Sequence, residues 1–180
     1  MPALSPTIAT RLVHYARMKR VRTLFALVAI ALSLTACDGP RPSDAELIAR
    51  FRVNRARIET LMEMMQADHA LTRVSYDSSD PADPATVGVS PKRVAEYRRR
   101  LNEVGYWQGF VYDPQSGGVS FIAWSTGFTG SGATKWVVYL PEDPTPLVDD
   151  LDAYRTPPGQ YHLLAYRHIE GPWYLMIEGG

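Results

Sequence analysis

Apolar residues recur every three or four positions between Ser43 and about Ala67, which predicts an amphipathic helix. Glu46 follows Ser43 at the spacing of a capping box, in which each side chain satisfies a backbone amide of the first turn. The apolar positions are Leu47, Phe51, Ile58, Leu61, Met62 and Met65. We therefore expect a helix that begins at Ser43 and lays one side on another element.

A second helix is predicted between Ser90 and Gly105. Ser90 is a good N-cap, Pro91 fits the first helical turn, and Gly105 ends the helix. Its apolar stripe consists of Val94, Tyr97, Leu101 and Val104. The chain between the helices is irregular and contains one candidate short strand, around 71–76.

After Gly105 the apolar pattern changes from helical to alternating, which predicts strands. The five expected strands are 106–113, 119–125, 134–140, 160–168 and 173–178. Short links at 113–118 and 170–172 favour hairpins and an antiparallel sheet. The sequence therefore predicts an α+β fold with two N-terminal helices packed on one face of an antiparallel sheet of about five strands.

The chain upstream of this domain is patterned like an export signal. Lys19, Arg20 and Arg22 form a basic start, and an apolar run of 13 residues follows from Leu24 to Ala36. A membrane-spanning helix needs about 20 apolar residues, so the run favours a cleaved signal peptide over residues 18–36. Residues 1–17 precede a better start at residue 18, and we interpret them as a mis-assigned start or an extended basic region.

The signal ends in Leu34-Thr35-Ala36-Cys37, which resembles the lipobox of bacterial lipoproteins. The whole plan is similar to that of small lipoproteins of Gram-negative bacteria. The resemblance implies a lipid on Cys37, a mature chain that starts there, and a protein anchored in the cell membrane and facing the periplasm. Asp38 resembles a retention signal for the inner membrane. Residues 37–42 would then be a short tether, and residues 43–180 a single periplasmic domain.

The charge balance changes at Cys37. The full chain has 19 basic and 19 acidic residues, but five of the basic residues and none of the acidic ones precede Cys37, so the mature chain is 14 − 19 = −5. An acidic domain is poorly suited to bind nucleic acid, whose phosphates would repel it. Cys37 is the chain's single cysteine, which excludes an intramolecular disulfide.

Two charged segments are candidate binding surfaces. The second helix concentrates positive charge, which could contact anionic lipid heads or form a solvated helix face; its basic residues are Lys92, Arg93, Arg98, Arg99 and Arg100. The Pro-rich loop 141–159 carries Glu142, Asp143, Asp149, Asp150 and Asp152. The ligand order of an EF-hand is missing there, so we expect a solvated acidic loop and no metal or cofactor.

Two hypotheses for function remain. His162 and His168 lie six residues apart in one predicted strand and should share a face, but no HExxH or GxSxG pattern accompanies them. An envelope hydrolase using these histidines and loop carboxylates is the alternative. The leading hypothesis is a non-enzymatic module that binds another protein close to the membrane, one version being an immunity protein. The four tryptophans would lie either in the core or at a docking surface; they are Trp107, Trp124, Trp136 and Trp173.

Overall fold

Two α-helices and seven β-strands make up the computed structural model, which describes residues 40–128 and 131–180. The helices are α1 (Asp44–Ala67) and α2 (Pro91–Glu103). The strands are β1 (Arg73–Ser75), β2 (Ser79–Asp80), β3 (Gly109–Asp113), β4 (Gly118–Phe128), β5 (Ser131–Tyr139), β6 (Leu163–Glu170) and β7 (Trp173–Gly179). Within the two described ranges, no helix is long and apolar enough to cross a membrane.

Both helices begin where their capping residues predict. The Ser43 hydroxyl accepts from the backbone of Glu46, and the Glu46 carboxylate accepts from the backbone of Ser43, so the capping box is confirmed. Ser90 caps α2 in the same way by accepting from the amide of Arg93. Because these contacts satisfy amides that have no partner inside the helix, they fix both starting points.

The expected arrangement of two N-terminal helices followed by about five strands is wrong. The sheet has seven antiparallel strands in the order β2-β1-β3-β4-β5-β7-β6, and β1 and β2 lie between the two helices along the chain. The candidate strand at 71–76 is confirmed as β1, whereas β2, with two residues, is too short for an alternating pattern to be recognised. Pairing with β3 holds β1 in the sheet, where Val74 lies opposite Phe110, and β2 pairs with β1.

The main core lies between the helices and one face of the sheet. Phe110, Phe121, Val137 and Leu175 are fully buried and lie directly opposite one another across β3, β4, β5 and β7. Both helices pack aromatic rings on this face. The ring centroids of Phe51 in α1 and Trp173 lie 4.8 Å apart, and those of Tyr97 in α2 and Phe110 lie 5.4 Å apart. We call this the helix-covered face, and the opposite side the outer face.

The long connection between β5 and β6 is packed against the domain over much of its length. The amide of Val148 donates to the carbonyl of Tyr166 at 2.8 Å, and the amide of Tyr166 donates to the carbonyl of Pro146 at 2.9 Å. Leu151 is fully buried in the main core. The connection therefore covers the free edge of β6, an edge that would otherwise expose unpaired backbone groups.

Candidate functional site

A lysine is buried where the connection between β5 and β6 meets the start of α1. The side chain of Lys135 in β5 is 0% exposed, and its Nζ lies 2.6 Å from Asp44 Oδ1 and 2.5 Å from Asp152 Oδ1. Nζ also donates to the carbonyl of Pro42 at 3.1 Å. A buried ammonium is tolerated only when it is paired and hydrogen-bonded, and all three of its protons have acceptors here.

Asp44 is the other buried member of this ion cluster. Its Oδ2 accepts from Arg167 Nη1 at 2.9 Å and from the amide of Leu151 at 2.8 Å. Its own amide donates to Asp152 Oδ2 at 2.9 Å. The cluster therefore joins α1, β5, β6 and the connection between the last two.

The cluster includes residues that the sequence analysis places in the tether. Arg41 Nη2 donates to the carbonyl of Leu151 at 2.9 Å and lies 3.9 Å from Asp152 Oδ1. The compact unit accordingly runs from Arg41 to Gly180. Between Cys37 and this unit the sequence contains only residues 38–40.

The acidic connection is largely exposed at Glu142, Asp143, Asp149 and Asp150, as predicted, but Asp152 is bonded to Lys135 in the ion cluster. Burial raises the pKa of Asp152, but the hydrogen bonds from Lys135 and from the amide of Asp44 outweigh burial and leave that pKa below its ordinary value. Carboxylate oxygens of Asp44, Asp150 and Asp152 lie within 4.8 Å of one another, close enough to hold a metal ion. Because the Lys135 ammonium already bonds two of these carboxylates, it serves as the cation of the cluster.

The two histidines of the hydrolase hypothesis do not meet. His162 lies before β6, and His168 lies near the end of that strand, so about 20 Å of extended chain separates them. His168 Nε2 lies 2.9 Å from the carbonyl of Gly171, and its ring packs on Tyr174. Among the described residues, no carboxylate or hydroxyl hydrogen-bonds either ring. The geometry therefore shows no catalytic constellation around them.

Most of the positive charge on α2 is already paired. Arg93 lies 2.6 Å from Asp68, and Tyr97 donates to the same carboxylate; burial and this hydrogen bond raise the pKa of Tyr97. Arg99 pairs with Glu103 and Arg100 with Glu96, whereas Arg98 donates to the neutral carbonyls of Ser75 and Ser78. Within the described ranges, Lys92 has no such partner. The expected lipid contact stays a prediction, and this pairing reduces the charge available for it.

An apolar row crosses the outer face. It consists of five residues that lie directly opposite one another on neighbouring segments: Ile122 in β4, Trp136 in β5, Met176 in β7, Tyr166 in β6 and Leu147 in the connection that pairs with β6. Four of them are half-buried and Leu147 is 51% exposed. No helix of the described chain packs over this face. We call it the outer row.

The surroundings of the outer row are acidic rather than basic. At the outer-face positions of β4 to β7 within the described chain there is no lysine or arginine, and Glu178 is exposed there next to the row. Asp143 accepts from the hydroxyl of Tyr174 at 2.5 Å, so the connection after β5 covers one end of this face. The row is thus an apolar surface with a negative rim.

The four tryptophans fall into different environments, which the sequence left open. Trp173 is buried in the main core, whereas Trp136 belongs to the outer row. A bulge at Ala123 shifts the register of β4, so that Trp124 lies opposite Lys135 on the helix-covered face. Trp107 is 53% exposed in the turn after α2.

No family model, curated protein or solved structure matches the chain. Cys37 and the rest of the predicted signal lie outside the described residues.

Proposed function

We propose that this chain is a lipid-anchored envelope protein that binds another envelope protein, without catalysis, through the outer row. The observation that carries the proposal is the outer row itself, an apolar surface that the helices leave uncovered. Large exposed apolar patches on small domains are typical of interaction sites.

A lipid on Cys37, which the resemblance to a lipobox implies, would hold this surface close to the membrane. If the mature chain starts at a lipid-bearing Cys37, four residue steps lead to Arg41, whose side chain is bonded to the domain. Fully extended, these steps reach only about 14 Å. A partner would therefore be a membrane protein or a protein that approaches the periplasmic side of the membrane. Asp38 favours the inner membrane.

The composition of the outer row favours a protein partner of a particular kind. Tryptophan, tyrosine and methionine are enriched at protein interfaces, where buried aromatic side chains dominate the binding energy. The acidic rim and the mature net charge of −5 favour a partner with basic residues around an apolar centre. The same rim disfavours a second copy of this chain, because equal charges would face each other. A basic toxin that this protein neutralises would fit this description.

Site-specific photocrosslinking in living cells tests the proposal. A crosslinking residue at position 147 should capture a discrete membrane or periplasmic protein, and the same residue at position 53 should not, because Val53 is 83% exposed on α1, away from the outer face. Leu147→Asp should weaken capture from a neighbouring outer-row position at least about tenfold, while the matched Val53→Asp should leave it unchanged. Equal capture at both positions, or no effect of Leu147→Asp, would refute the outer row as the docking surface.

A further inference from the structure

A second candidate surface lies at the opposite end of the sheet, where the turn between β1 and β2 meets the start of α2. A cavity of about 400 Å³ opens there. Its polar lining comes from Asp77, Ser78, Ser79 and Arg98, and its apolar lining includes Pro91 and Val94. Ligand pockets in proteins range from about 300 to 1,000 Å³, so this cavity could hold one or two small rings.

The polar groups of the cavity are held in place by the fold. Arg98 Nε donates to the carbonyl of Ser75 at 2.9 Å, and its Nη2 donates to that of Ser78 at 3.3 Å. The Ser75 hydroxyl donates to Asp77 Oδ1 at 3.0 Å. Among the described residues, Arg98 Nη1 and Asp77 Oδ2 have no hydrogen-bond partner. The cavity thus offers one charged donor and one charged acceptor with little freedom to move.

Two exposed aromatic rings adjoin this turn. Tyr76, which directly precedes Asp77, is 63% exposed, and Trp107 is 53% exposed. Their ring centroids lie 5.8 Å apart. Such a pair leaves a large apolar surface in water, and aromatic rings that combine apolar faces with polar edges are suited to binding partly polar ligands.

We propose that the cavity and the Tyr76–Trp107 pair bind a neutral saccharide unit of an oligosaccharide chain. A sugar ring has an apolar C–H face that can stack on an aromatic ring, and its hydroxyls both donate and accept hydrogen bonds. Asp77 would accept from one hydroxyl, and Arg98 would donate to another. A charged ligand fits less well, because an anion would face Asp77 and a cation would face Arg98. This surface is separate from the outer row, so the proposal does not rest on the proposed function.

Titration of the full chain, purified in the processed form that the cell makes, tests the proposal. The probes are three tetrasaccharides: one of N-acetylglucosamine, one of α-linked glucose and one of β-linked glucose. Their binding is measured by calorimetry and by tryptophan fluorescence. At least one should bind saturably and shift the tryptophan emission. Trp107→Ala and Tyr76→Ala should each weaken binding about tenfold or more, whereas Tyr161→Ala, which removes a 91% exposed ring that does not line the cavity, should leave it unchanged. Asp77→Asn, which keeps the side-chain shape, should weaken binding without altering the circular dichroism spectrum.

Ionic strength provides an independent readout. Because the ligand is neutral, its affinity should change less than twofold between about 0.05 and 0.5 M salt. Saturable binding to none of the three probes would overturn the proposal, as would binding that Trp107→Ala and Tyr76→Ala leave intact or that falls steeply with salt. Crosslinking of a peptide instead of a glycan at position 107 in living cells would overturn it as well.

Discussion

Replacing Lys135 with methionine removes the ammonium group from the buried ion cluster while retaining a side chain of similar length. Asp44, which is 1% exposed, then loses one of its two cationic partners but keeps Arg167 and the amide of Leu151. Asp152 loses the same ammonium, but its side chain is 39% exposed and water can replace that contact. The penalty therefore falls mainly on Asp44.

The size of this penalty follows from the burial of Asp44. Breaking a buried pair by removing one partner costs about 3–5 kcal/mol, because a buried charge loses its compensation. Since Arg167 still compensates Asp44 in part, we expect Lys135→Met to lower the free energy of unfolding by about 3 kcal/mol. A domain of this size has a total stability of about 5–15 kcal/mol, so the loss is large enough to measure.

Urea unfolding of the chain from residue 38, followed by tryptophan fluorescence, measures the loss. Lys92→Met is the matched control, because Lys92 is exposed and has no ion-pair or hydrogen-bond partner in the described chain. It should change stability by less than about 0.5 kcal/mol. In a double-mutant cycle, Lys135→Met and Asp44→Asn should couple by at least about 1 kcal/mol. If Lys135→Met is no more destabilising than Lys92→Met, the buried ion cluster does not stabilise the fold in the way that we infer.

Three further predictions concern acid stability, a close backbone approach and a helix cap. The pKa of Asp152 is lowered from 3.8, so the ionised carboxylate stabilises the fold above that pH, and this stabilisation is lost as the pH falls through the folded-state pKa. Asp152→Asn should therefore reduce the drop in melting temperature at acidic pH. An unchanged drop would contradict this prediction. Gly109 has φ +123°, and an added Cβ would lie 2.1 Å from the carbonyl oxygen of Val74. Gly109→Ala should therefore lower the free energy of unfolding in urea by about 2 kcal/mol or more. A loss below about 0.5 kcal/mol would show that an alanine fits there without strain. Ser43→Ala should cost about 1 kcal/mol in the same assay because it removes the capping box of α1, and restored stability in Ser43→Asp would support that cause.

The helices could be predicted because their signals are local. Ser43 and Glu46 satisfy backbone amides within the first turn of α1, and Ser90 does the same for α2, where Pro91 fits the first helical position. The sequence indicates β1 as a candidate strand at 71–76, but β2 and the place of both strands in the sheet could not be predicted in the same way. β1 pairs with β3, whose residues lie about 35 positions further along the chain, and β2 pairs with β1.

The ion cluster was missed although the sequence contained one signal for it. Lys135 occurs in the same alternating phase as Val137 and Tyr139, which places it on the helix-covered face of β5. A lysine at such a position needs buried acidic partners. Those partners, Asp44 and Asp152, lie in distant segments, and only the tertiary fold brings them to Nζ.

The outer row was anticipated only as one of two possible roles for the aromatic residues. Alternation within β5 shows that Trp136 and Val137 face opposite sides, but the sequence does not say which side the helices cover. The helix contacts to Trp173 and Phe110 settle that choice. The candidate docking surface therefore emerged from the packing of α1 and α2 rather than from a motif.

Intact-mass spectrometry of the protein isolated from bacterial membranes tests whether Cys37 carries a lipid anchor. We expect a chain that starts at residue 37, with a thioether-linked diacylglycerol on its single thiol and, in Gram-negative cells, an acyl group on the new amino terminus. Conversion to serine at that position should abolish both the processing and the added mass. A chain that retains its apolar leader, or one whose sulfur carries no lipid, would exclude lipid anchoring at Cys37.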